Sequence, residues 1–280
     1  MNISGYRKTG FSRGLRWLPA AAELLFSAFT PLSGLAALWL LVSMIALIPV
    51  VGQLSIMLIT PLLTAGAIAA YAEVAAGRRP APTILFSAWS NPDTRRRLLG
   101  VGAFGILGSL VAMATLAAWL GSQVSPEQLQ VAQTSPEAMA EVIRQVSPGP
   151  LLLVAAAVLA VVLSAMYFAV PLLLFSDLGV VAALTLSLRA VIGNWAAFLA
   201  FGLVLIIAVI ALGIVFGVIL VTLGIAIGPA GQMAGQVLVM LAAMLVQVLM
   251  AGTQWIAFTE VFGKPGDRQR EADPSDQLLA

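Results

Sequence analysis

The chain contains no cysteine and no histidine, and charged residues fill only 9% of its 280 positions. Without cysteine there is no disulfide, thiol nucleophile or thiolate metal ligand. Without histidine there is no imidazole base. A zinc site would have to be built from carboxylates alone, outside the usual donor sets. Soluble domains carry about 25% charged residues. Here hydrophobic types make up 61% and the mean hydropathy is +1.03, so there is too little polar surface to cover a water-soluble particle. These shortages exclude an ordinary cytosolic enzyme, a disordered tail and a nucleic-acid module. The pI of 9.4 is no nucleic-acid signal, because the net charge is only +2.

What the chain has in abundance is apolar sequence. Crossing a bilayer takes about 20 apolar helical residues, since the hydrocarbon core is about 30 Å thick and each residue rises about 1.5 Å. Six stretches qualify, at 31–48, 54–76, 98–120, 150–175, 195–222 and 232–260. The short link Ile48-Pro49-Val50-Val51-Gly52 joins the first two as a hairpin, and Gly224 to Pro229 joins the last two. No cleavable signal is expected ahead of them, because Arg7, Lys8, Arg13 and Arg16 interrupt residues 1–16 and Glu23 follows.

The few charges are unevenly placed. In a six-span chain, every basic residue except Arg144 falls on one side: the N-terminal segment, the link with Arg78, Arg79, Arg95, Arg96 and Arg97, the link with Arg189, and the tail with Lys264, Arg268 and Arg270. Basic residues stay cytoplasmic during insertion, so both termini are expected in the cytoplasm. The expected organisation is a cytoplasmic tail and interfacial helix over 1–30, a six-span membrane domain over 31–260 and a disordered cytoplasmic tail over 261–280. Residues 121–149 form the one sizeable external segment. Ser125-Pro126-Glu127-Gln128 there reads as a capping box, and Ser135-Pro136-Glu137 repeats the start signal. Two short amphipathic surface helices are expected, the second presenting Met139, Val142, Ile143 and Val146 on one face.

Self-comparison yields a threefold internal repeat. Phe26-Ser27-Ala28-Phe29-Thr30-Pro31 precedes the first span, Phe86-Ser87-Ala88-Trp89-Ser90-Asn91-Pro92 the third, and Leu186-Ser187-Leu188 with Asn194-Trp195 the fifth. Thr30, Asn91 and Asn194 stand as expected helix caps. The even spans end alike, at Tyr71-Ala72-Glu73, Phe175-Ser176-Asp177 and Phe258-Thr259-Glu260. The predicted fold is therefore all-α, with six transmembrane helices as three parallel helical-hairpin repeats and amphipathic interfacial helices on the cytoplasmic face. A threefold pseudo-axis along the membrane normal follows, unlike the inverted repeats of many transporters.

Glu73, Asp177 and Glu260 lie at helix C-termini, where the helix dipole disfavours negative charge by about 0.3–1 kcal/mol. Arg16, Arg95 and Arg189 are the nearest candidate partners, and Arg95-Arg96-Arg97 is the densest basic cluster. Together these eight residues form a candidate interfacial charge or lipid site. Ion pairing that fixes the repeat is the favoured reading, and a cytoplasmic site for a cation or a lipid headgroup is the other. Attraction to anionic lipid is worth about 1 kcal/mol per basic residue near the surface. The first surface helix, about 11–29, reads as a collar under the bundle or as a membrane-bending element, the collar being favoured.

Asp, Glu, Lys and Arg are missing from the middle of every span, which weakens ion-coupled transport and proton pumping. Gln232, Gln236, Gln247, Gln254 and Thr253 recur along the sixth span and are read as interhelical hydrogen-bonders before pore liners. Gly100, Gly102, Gly105 and Gly108 in the third span, and Gly202, Gly213 and Gly217 in the fifth, would allow close helix approach. No serine has a base, no acids pair within a span, and no catalytic residue, cofactor or metal site is expected.

Several stretches carry a likeness. Trp17, Ile48 to Gly52, Leu62 to Gly66, Phe168 to Pro171 with Asp177, and Asn194-Trp195-Ala196-Ala197-Phe198 resemble an uncharacterised group of proteobacterial six-span inner-membrane proteins. These are similar to YciC-like proteins and to the membrane domain fused to some glycerophosphodiesterases. The resemblance spans nearly the whole chain. It implies an integral inner-membrane protein and supplies no catalytic residue. The soluble phosphodiesterase domain is absent, so that activity is not implied.

The expected function is non-enzymatic: an inner-membrane protein with an envelope, lipid-associated or scaffold role. A transporter or channel for a small or lipid-like solute is the alternative. Expected partners are membrane lipids with anionic headgroups at the cytoplasmic face, and no nucleic acid; protein partners and homo-oligomerisation stay open. The topology is directly testable because there is no native cysteine. A cysteine placed at Ser135 should react with an impermeant thiol reagent from the outside only, and labelling from the cytoplasmic side alone would reverse the assignment.

Overall fold

The computed structural model describes residues 5–132, 135, 139–140, 142 and 148–265. Within them the chain is helical, with no strand. Most of the second external helix expected from Ser135, together with Arg144, Arg268 and Arg270, lies outside the described residues. Helix α1 (Phe11–Ser27) leads through Ala28 into α2 (Phe29–Ser43) and a 3₁₀ turn, Met44–Leu47. Then follow α3 (Val51–Ala75), a 3₁₀ helix Pro82–Trp89, α4 (Pro92–Gln123) and α5 (Pro126–Ala132). The chain continues as α6 (Pro148–Tyr167), α7 (Ala169–Phe175), α8 (Val180–Gly193), α9 (Trp195–Ile227) and α10 (Pro229–Phe262). Six helical stretches are long and apolar enough to cross a membrane, α6 and α7 together supplying the fourth, which is the signature of a multi-pass membrane protein.

Local chemistry explains several boundaries. Asn91 Oδ1 accepts from the amides of Asp93 at 3.0 Å and Thr94 at 3.1 Å, capping α4. Ser125 and Gln128 exchange reciprocal bonds of 2.9 and 3.2 Å, a complete capping box ahead of α5. Thr30 does not cap. The helix already begins at Phe29, one residue after α1 ends, so Thr30 is inside the first turn and α2 has no side-chain cap. Asn194 also fails to cap its helix, because its side chain is engaged elsewhere. The segment before α4 is a 3₁₀ helix rather than an amphipathic α-helix.

The fourth span is not the single helix expected over 150–175. Pro171 has no amide to donate, and α6 gives way to α7 at Phe168. A side chain repairs the break. Ser187 Oγ of α8 accepts from the Phe168 amide at 2.9 Å and donates to the Ser164 carbonyl at 2.7 Å. Ser187 thus stands in the rung that Phe168 and Ser164 would otherwise share.

Each short helix leans on the hairpin that precedes it in cyclic order. Pro82–Trp89 packs on α2 and α3, α8 packs on α4, α6 and α7, and α1 packs on α9 and α10. Backbones approach closely here and between α3 and α4. A methyl group on Gly66 would stand 2.1 Å from the Leu85 carbonyl oxygen, and one on Gly102 of α4 would stand 2.2 Å from that of Leu58 in α3. The fifth span departs from expectation here, since Gly202, Gly213 and Gly217 have no such neighbour. Buried residues of α9 are confined to Ala197, Ala200 and Phe201 near its start. α9 and α10 are 33 and 34 residues long; beyond α1, α9 packs mainly on α10, while α10 packs also on α2 and α3.

One substitution isolates the repaired break. Ser187→Ala should strand the Phe168 amide and lower stability by about 1–3 kcal/mol, read as a reduced melting temperature in detergent. An unchanged melting temperature would mean that the bridge carries no weight.

Candidate functional site

Charged side chains gather at the end of the bundle where α3, α7 and α10 finish, called the basic end here. Helix α1 runs across it with three distinct faces. Gly14, Trp17, Ala21 and Leu25 are buried against the bundle. Phe11, Leu15 and Phe26 form an exposed apolar stripe, and Ser12, Arg16 and Glu23 an exposed polar one. Contact with α9 is so close that a methyl on Gly14 would stand 1.9 Å from the Ala197 carbonyl oxygen. Trp17 is fully buried, its ring edge-on to Phe198 at 5.1 Å. Its indole Nε1 donates to Glu260 Oε2 at 3.0 Å, and Arg13 Nη1 lies 3.5 Å from Glu260 Oε1. Upstream, the Arg7 amide donates to the Val261 carbonyl at 2.8 Å. Asn194 Oδ1 accepts from the Thr9 amide at 2.6 Å and hydroxyl at 3.0 Å, while its Nδ2 donates to the Arg7 carbonyl at 3.2 Å. The N-terminal segment is thereby tied to the ends of α8 and α10.

Glu73 finds its partner within its own turn. Gly77 adopts φ 74°, and the Arg78 amide returns to the Glu73 carbonyl while the Gly77 amide returns to that of Val74, both at 2.9 Å. This is a Schellman ending. It brings Arg78 against the Glu73 carboxylate, with Nε on Oε2 and Nη2 on Oε1, the latter at 2.9 Å. Hydrogen bonding to Glu73 holds the Arg78 guanidinium above its ordinary pKa. The pair is exposed, and exposed pairs stabilise little.

Asp177 sits in the turn between α7 and α8. Arg97 Nη1 of α4 reaches across and donates to the Ser176 and Leu178 carbonyls, each at 3.0 Å. Asp93, Arg96, Arg97, Gly100, Asp177 and Val180 line an open cleft of about 580 Å³ at this junction.

The candidate residues therefore fall into separate settings. Glu260 meets Arg13 rather than Arg16, because Arg13 stands one turn before Trp17 on the same side of α1, while Arg16 lies on the exposed polar stripe. Glu73 meets Arg78, five residues on, rather than an arginine from another segment. Arg96 and Arg97 share the cleft with Asp177. Arg16, Arg95 and Arg189 are exposed. The aromatic residues of the even-span exits are interior groups: Tyr71 and Phe258 are fully buried, and half-buried Phe175 stacks on Phe258 at 5.7 Å. Sequence reasoning passed over Trp17 as a hydrogen-bond donor, Asn194 as a tether and Ser187 as a bridge, since each acts on a residue distant in the chain. Arg78 could have been found from Gly77, whose spacing from Glu73 is that of a Schellman turn. Among the described residues, no group of three or more Asp or Glu side chains could hold a metal ion. Gln232 and Gln236 of α10, with Leu220, Val221, Gly224 and Ile225 of α9, line a second cleft of about 530 Å³ at the far end of that hairpin.

No family model matches the chain, and neither does any curated protein or solved structure.

The two paired acids should behave differently when neutralised. Glu260→Gln weakens a charge-assisted bond to a buried indole and should cost about 1–2 kcal/mol, with Trp17→Phe costing a similar amount. Glu73→Gln should leave the melting temperature nearly unchanged, since solvent already screens its pair. Equal effects in a thermal melt would contradict this ordering.

Proposed function

We propose that this chain is a non-enzymatic integral protein of a bacterial inner membrane, with both termini cytoplasmic, that associates with lipid headgroups through its basic end and acts as a scaffold in envelope organisation. The carrying observation is the filled centre of that end. Tyr71, Leu172, Leu173, Phe258 and Phe262 are fully buried towards the ends of α3, α7 and α10, while the charges lie around them. A packed apolar plug ringed by charge suits holding a position at the interface better than passing a polar solute. The three faces of α1 support an interfacial depth: one flank meets protein, one suits acyl chains and one suits water. The cyclic packing of short helices on preceding hairpins supports three parallel hairpin units around a pseudo-threefold axis. The resemblance to the YciC-like and glycerophosphodiesterase-associated membrane domains points the same way.

A second reading, transport of a small or lipid-like solute, draws on the broken fourth span. Discontinuous helices often mark solute sites in transporters. The Tyr71 hydroxyl and the Gln254 amide oxygen are buried without a hydrogen-bond partner among the described residues.

Reconstitution separates the two. In phosphatidylcholine vesicles, adding phosphatidylglycerol should raise the melting temperature, and salt should erode that gain. Purified protein should hydrolyse no phosphodiester or peptide. Indifference to anionic lipid, combined with solute flux above that of protein-free vesicles, would favour the transporter.

A further inference from the structure

We infer that the cleft between α4 and the α7–α8 turn seats a phosphoethanolamine headgroup of a membrane phospholipid, its phosphate on Arg96 and Arg97 and its ammonium on Asp93. This deepens the lipid-associated reading above and rests on it.

The lining carries both signs of charge, two guanidinium groups and two carboxylates around one opening of about 580 Å³. A site for a simple anion gains nothing from two carboxylates, and a site for a simple cation gains nothing from two arginines. A zwitterion with separated charges satisfies both. Arginine suits phosphate because its planar fork presents paired donors. Carboxylates suit a primary ammonium, which donates hydrogen bonds. A quaternary ammonium donates none and is held instead by aromatic faces, and among the described residues no aromatic one lines this cleft.

Arg97 is held in place beforehand. Its Nη1 bonds to the Ser176 and Leu178 carbonyls fix the guanidinium at the cleft wall, so little side-chain freedom is lost on binding. Its Nε is buried with no hydrogen-bond partner among the described residues, so the face of the guanidinium turned to the cleft is the part left for a ligand. The helix terminus is not the attraction, because Asn91 already occupies the first free amides of α4.

The position also suits a lipid. Arg96 and Arg97 stand at the start of a membrane-length helix. The remaining lining residues, Gly100 and Val180, are apolar and packed together, with Val180 Cγ2 3.0 Å from where a Gly100 methyl would stand. Continuing along the same face of α4 at helical spacing, Leu107 and Val111 are exposed. Charge gives way to apolar surface in the order that a headgroup gives way to acyl chains.

The full chain in detergent tests this by thermal shift and by native mass spectrometry, with phosphatidylethanolamine, phosphatidylcholine, phosphatidylglycerol or soluble glycerophosphoethanolamine added. Phosphatidylethanolamine should stabilise most and be retained most. Arg96→Gln should weaken its retention about tenfold, the loss of one charge-assisted bond. Asp93→Asn should abolish the preference over phosphatidylcholine while sparing phosphatidylcholine itself. Both side chains are exposed, so neither change should disturb folding, and lipid competition on the unaltered chain gives a readout free of that question. Equal retention of the three lipids, or indifference to both substitutions, would overturn the site. Equal stabilisation by glycerophosphoethanolamine would overturn the lipid assignment in favour of a soluble solute. If phosphatidylglycerol-dependent stability persists without any ethanolamine preference, this site fails while the broader lipid-associated reading stands.

Discussion

Backbone groups in hydrocarbon have no water to fall back on, so any interruption of a membrane helix has to be repaired by the protein itself. The fourth span carries such an interruption at Phe168, and Ser187 repairs it from a neighbouring helix. Much of the basic end depends on that repair. The redirected α7 carries Phe175 to the ring of Phe258, while Phe168 itself reaches Phe262 at 5.3 Å. These rings set the last turns of α10, and so place Glu260 where Trp17 can reach it. Docking of Trp17 in turn lays α1 across the starts and ends of the spans.

Three carboxylates end three helices against unfavourable dipoles, and the chain meets that problem in different ways. Glu73 is matched by an arginine of its own turn, Glu260 by an indole and a guanidinium brought from more than 240 residues away in sequence. At Asp177 the arginine of another span binds the carbonyls on either side. The local solution is exposed and easily dispensed with. The long-range one closes the first helix onto the last.

Spans were legible in the sequence because each is a continuous apolar run whose length is dictated by the bilayer. Caps were legible where donor and acceptor lie within three residues, as at Asn91 and in the Ser125–Gln128 box. Asn194 looked like another cap, but its partners, Arg7 and Thr9, come from the far end of the chain. The break at Phe168 was not legible, since 150–175 is one apolar run, and Ser187 gave no sign of bridging it, since a serine in an apolar helix looks the same whether it bonds its own turn or another helix. The choice of Arg13 over Arg16 required knowing that Trp17 meets Glu260, since Arg13 is one turn away on the same side. Charge segregation was legible as a count, whereas the mixing of both signs in one cleft was not.

The α9–α10 hairpin carries a consequence of another kind. Its helices of 33 and 34 residues are each about 50 Å long, against a hydrocarbon slab of about 30 Å. Even a tilt of about 40°, the upper end of what is common, leaves apolar helix projecting past the slab. Thickening the lipid around the hairpin would shelter that excess, at fractions of a kcal/mol per Å. With the near end held by Asn194 and Trp17, such a mismatch would fall on the far leaflet. Bilayer thickness would then bear on this hairpin through geometry alone.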